Sequence, residues 1–102
     1  MSQYAKRNTI YLKICSDLEN RAKALYPLAQ ITQIFPWAKA NHPKRYSQVK
    51  DLEAKFEELW ADEAPIEEVK NGMLSWARKV LELYKARHEE MSNAQQSLAM
   101  GE

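Results

Sequence analysis

Two histidines, one cysteine and fourteen carboxylate side chains are the groups here that could bind a metal, move protons or attack a substrate. Their spacing argues against all three. His42 and His88 are far apart, and neither has a ligating partner three or four residues on. Two facing histidines on one helix would need that step. No His-Glu-x-x-His, Glu-x-x-His, Gly-x-Ser-x-Gly or Cys-x-x-Cys motif occurs. Glu53 and Glu57, and Glu58 and Asp62, stand one helical turn apart. Paired acids can hold a cation or shuttle a proton. Without a histidine or a glycine-rich loop beside them, such pairs read as a solvated helix face. Cys15 falls on an apolar stripe, where a lone thiol acts as a small hydrophobe. The expectation is a chain that is not an enzyme and needs no metal or cofactor.

One cluster points to binding. Lys39, His42, Lys44 and Arg45 lie within seven residues, flanked by Trp37 and Tyr46. Cations bind phosphates, aromatic faces stack on unpaired bases, and a helix N-terminus adds positive potential. These four residues are the candidate nucleic-acid contacts, with Lys6 and Lys13 as further cations. No helix-turn-helix pattern accompanies them.

The cluster belongs to a larger asymmetry. Residues 1–50 hold nine Lys/Arg and two acids, for a net +7; residues 51–102 hold six and twelve, for −6. The change is abrupt, since positions 51–68 contain eight acids and only Lys55 as a base. Either the two halves neutralise each other on folding, or the basic half presents a surface to an anionic partner.

Composition limits what can carry these groups. A chain of 102 residues suits one domain with one core. It is 45% hydrophobic and 28% charged, too apolar for disorder and too charged for a membrane protein. Two glycines exclude phosphate-cradling loops and tight hairpins, and one cysteine excludes an internal disulfide. No apolar run nears the roughly 20 residues of a membrane span, and no signal-peptide core follows the basic start. The expected setting is a reducing cytoplasm, away from membranes.

Four helical segments emerge from the periodicity. Ile10, Tyr11, Ile14, Cys15, Leu18, Ala22 and Leu25 share one face of a helix over 3–26, ended by Pro27. Leu28, Ile31, Ile34 and Phe35 suit a short second helix interrupted by Pro36. Pro43 opens a third, with Tyr46, Val49, Leu52, Phe56, Leu59 and Trp60 as its stripe. Pro65 opens the fourth, where Glu67 and Glu68 favour the helix N-terminus. The short connection makes helices three and four an antiparallel hairpin. The fourth helix is expected to end near Glu90 or Met91. The small polar residues that follow suggest a single helical domain over 1–92 and a flexible tail over 93–102.

Helix four also carries a seam of alternating three- and four-residue steps: Ile66, Val69, Met73, Trp76, Val80 and Leu83. Leu74, Ala77, Leu81 and Tyr84 widen it. So broad a face either sits at the centre of the bundle or meets a partner. Met73, Trp76, Val80 and Leu83 are the candidate partner contacts, with a second copy of the chain among the partners. The expectation is an all-α, compact four-helix domain, one helix short. It acts as a non-catalytic protein-interaction module: a small adaptor, regulator or inhibitor. The alternative is a small nucleic-acid-binding protein using the basic loop.

Overall fold

The computed structural model describes residues 3–29 and 33–100, with side chains for 6–29 and 33–94. It is all-α. Helix α1 spans Gln3–Leu25, α2 Ile34–Asn41, α3 Pro43–Ala61 and α4 Ile66–Met100, with a 3-10 turn at Pro27–Ala29. Among the described residues there is no strand.

Helix α4 is the spine. Helix α3 returns against it as the antiparallel hairpin, and α1 packs along it on the other flank. Near the start of α1, Arg7 meets Trp60 and Ala64, while Tyr26 and Leu28 beyond its end meet His88. Helices α1 and α4 therefore run parallel. The 3-10 turn and α2 close the far end, where the chain crosses from α1 to α3. The molecule measures 62 × 25 × 17 Å, a rod set by the long α4.

The core follows the apolar stripes. Ile14, Ile34, Ala38, Val49, Phe56, Val69, Met73, Trp76, Val80 and Leu83 form one buried cluster. Tyr11 inserts from α1 among Phe56, Trp60 and Trp76, with ring centroids 6.0, 6.3 and 5.9 Å away. Gly72 lets α3 and α4 approach: a Cβ built there would lie 2.9 Å from the Phe56 Cβ.

Two element boundaries differ from the sequence expectation. Pro36 does not interrupt a helix that begins near Leu28; it lies inside α2, which begins at Ile34. At the third helical position its missing N–H has no intrahelical acceptor to lose. Leu28 belongs instead to the 3-10 turn, and Ile31 lies outside the described residues. Helix α4 also runs on past Met91 to Met100. Ser and Asn are weaker helix formers but not breakers, Ala, Gln, Leu and Met favour the helix, and the next strong breaker is Gly101. Side chains from 95 onward lie outside the description.

Candidate functional site

The end of the rod where α2 turns into α3 gathers most of the residues singled out for binding. His42 is the joint. Its N–H donates to the Ala38 carbonyl, closing α2, and its own carbonyl accepts from Tyr46, opening α3. Pro43 follows at the first helical position, as its fixed φ favours. The imidazole Nε2 lies 2.7 Å from Glu90 Oε1 on α4. The ring also packs 5.0 Å from the Trp37 ring, and the Arg87 guanidinium sits over that indole at 5.4 Å. Asn41 Nδ2 donates to the Trp37 carbonyl. These contacts pin the α2–α3 joint onto α4.

Around this clamp, Lys39, Lys44 and Arg45 are exposed. Among the described residues, none of the three makes an ion pair. The pairs present are Lys13–Asp17, His42–Glu90, Lys50–Glu53 and Lys79–Glu82. Three of the four join neighbours on one helix, so the basic and acidic halves are not zipped together. The structure thus brings Lys39, His42, Lys44 and Arg45 to one end but divides their roles. His42 is committed to Glu90, and three cations remain open. Trp37 is no free stacking platform, because Arg87 and His42 already lie against it. Lys6 and Lys13 lie along α1, and Lys13 is paired.

The seam residues have a different fate. Met73, Trp76, Val80 and Leu83 are 0 to 5% exposed, spent inside the bundle against α1 and α3. In the folded chain these four side chains lie in the core and not on its surface. The reason is local: α1 and α3 approach α4 from two sides and bury the middle of its stripe, while Ile66, Leu74, Ala77, Leu81 and Tyr84 remain half-buried. Large apolar side chains left exposed are Leu12 and Leu25, both on α1.

The candidate chemical groups are also accounted for. His88 Nδ1 accepts the Leu28 N–H at 3.2 Å, tying the 3-10 turn to α4. Cys15 shares a hydrogen bond with Tyr11, and burial raises its thiol above the usual cysteine range, away from the reactive thiolate. Burial likewise pushes the Tyr11 hydroxyl up to about 12, helped by the Cys15 contact. Glu53 is engaged by Lys50, whereas Glu57, Glu58 and Asp62 are exposed. Among the described residues no three His, Cys, Asp or Glu side chains come together as a metal site, and no helix is long and apolar enough to cross a membrane.

One residue escaped the sequence reading. Arg7 is only 2% exposed. Its guanidinium donates to the Trp60 carbonyl at 3.1 Å and to the Ala64 carbonyl, at the C-terminal end of α3. The signal was there: Arg7 stands seven residues before Ile14, on the same apolar face. Its long stem can lie along that face while its charge meets the negative end of a helix.

Fold and site together define a small all-α domain with a charged, clamped end and a closed core. Comparison with protein-family models, curated proteins and solved structures finds no match for the chain.

Proposed function

We propose that this chain is a non-catalytic helical interaction module, a small adaptor, regulator or inhibitor, that takes an anionic partner on the basic end of its bundle. One observation carries the reading: Lys39, Lys44 and Arg45 are exposed and, among the described residues, make no ion pair. Lys44 and Asp62 are separated by eighteen residues of helix, about 27 Å at 1.5 Å per residue. A rigid α3 cannot fold its acidic end back onto its own basic end. The partner class that fits is a protein surface rich in carboxylates.

Nucleic acid is the second reading. It is favoured by the position of Lys44 and Arg45 in the first turn of α3, where backbone N–H groups are unpaired and the helix potential is positive. The engaged faces of Trp37 favour contact with the phosphate backbone over stacking on single-stranded bases.

The test is titration of wild type and K39E/K44E/R45E against an acidic polypeptide and against labelled single- and double-stranded oligonucleotides, at two salt concentrations. Binding by wild type that weakens with salt and disappears in the variant supports the proposal. A phosphate partner adds a slope of about −0.7 to −0.9 in log K against log [salt] per contact. Equal or undetectable binding of all ligands by both proteins removes the basic end as a contact surface.

A further inference from the structure

Helix α3 carries a second pattern, independent of the open end. Lys44, Asp51, Lys55 and Asp62 are all exposed, and none makes an ion pair among the described residues. A helix turns about 100° per residue. Asp51 is seven residues beyond Lys44 and returns to within about 20° of it by that turn. Lys55, eleven beyond, lies about 20° to the other side, and the C-cap Asp62, eighteen beyond, comes back into line. The four charges therefore form one exposed stripe along a flank of α3, about 120–140° round from the buried Val49 and Phe56.

The spacing of that stripe is seven, four, seven, and the signs alternate: plus, minus, plus, minus. Turned end for end, it presents minus, plus, minus, plus at the same spacings. Two copies laid antiparallel, with a twofold axis level with position 53, set Lys44 opposite Asp62 and Asp51 opposite Lys55, each pair occurring twice. Gln48 and Glu58, both exposed, fall about 40° to opposite sides of the stripe and are not set against each other. Parallel pairing in the same register would set like charges against each other.

We infer that this exposed flank of α3 is a self-recognition surface whose partner is an antiparallel second copy of this chain. The contact is isologous, as a closed twofold dimer requires. It goes beyond the proposed function, sharing only Lys44 with the basic end. The stripe holds no large apolar anchor, and exposed ion pairs are individually weak and screened by salt. The dimer is accordingly weak and dissociates as ionic strength rises.

Sedimentation equilibrium tests it on the full chain at about 1 mM, the scale of weak association. At about 0.01 M salt, where the Debye length is about 30 Å, the wild type should contain dimer; near 1 M it should be monomeric. K44E/K55E makes the stripe wholly acidic and D51K/D62K makes it wholly basic. Each should be monomeric alone at low salt, and mixing the two should restore association. Wild type that is monomeric at low salt overturns the inference, and that measurement needs no variant. So does either variant associating as wild type does, or a mixture of folded variants that stays monomeric. K39E/R45E lies outside the stripe and should leave dimerisation unchanged while weakening anion binding, which separates this surface from the basic end.

Discussion

Trp76 shows how burial and hydrogen bonding pull apart in one side chain. It is 5% exposed, packs edge-on to Phe56 at 5.6 Å, and its indole Nε1 is buried without a hydrogen-bond partner among the described residues. Replacing it with alanine leaves a large cavity between α1 and α3. Trp76→Ala should therefore lower stability by about 3–5 kcal/mol. Trp76→Phe keeps most of the ring and removes an unpartnered donor, whose burial is itself unfavourable, so its cost should be much smaller. Urea denaturation of the three proteins measures both. A loss below about 1 kcal/mol for the alanine variant would mean that the seam is not core. Arg7 is a different case: a charge at a buried position whose two terminal guanidinium nitrogens donate to carbonyls at the end of a helix. Periodicity exposes its place on the stripe. Only the position of Trp60 and Ala64 explains why it is tolerated there.

At the scale of elements, the α3–α4 hairpin depends on one missing side chain and one awkward backbone. Gly72 sits where a Cβ would meet the Phe56 Cβ at 2.9 Å. That contact is with the root of a buried side chain, which cannot swing aside. Gly72→Ala gains about 1 kcal/mol of helix propensity, but overpacking costs typically 1–3 kcal/mol, so the variant should be less stable. Glu63 has the reverse problem. It follows α3 with φ 55, and the turn closes as a Schellman motif: Ala64 N–H to the Leu59 carbonyl, Glu63 N–H to the Trp60 carbonyl. A side chain in that left-handed region costs roughly 1–2 kcal/mol, against about 0.4–1 kcal/mol for the extra freedom glycine has when unfolded. Glu63→Gly should raise stability by about 0.5–1 kcal/mol on that balance. Thermal melts of the two variants should move in opposite directions. The glycine's role was half legible, since a helix-interior Gly signals either close approach or a kink. The left-handed Glu63 left no mark in the sequence, because nothing about a glutamate announces that conformation.

Across the whole molecule, the charge split survives folding instead of cancelling. The ion pairs are mostly local, and the three open cations lie at one end of a rod 62 Å long. Reversing Lys39, Lys44 and Arg45 should therefore leave the melting transition nearly unchanged, whatever it does to binding. Loss of several kcal/mol in that variant would show that these cations hold the fold together. The all-α class, the hairpin and most of the core were readable from sequence, because a stripe at helical spacing tends to be buried and prolines mark helix starts, though Leu25 on the α1 stripe is exposed and Arg7 beside it is buried. The end of α4 and the passage of α2 through Pro36 were not, since weak propensities leave such boundaries undecided. Nor could the sequence say which of two broad fates awaited Met73, Trp76, Val80 and Leu83. A wide apolar face looks the same whether its neighbours come from its own chain or from another. Tertiary structure buries those four side chains within the chain, because α1 runs parallel and α3 antiparallel to α4 and their apolar stripes meet on its seam, while Leu74, Ala77, Leu81 and Tyr84 beside them stay half-buried.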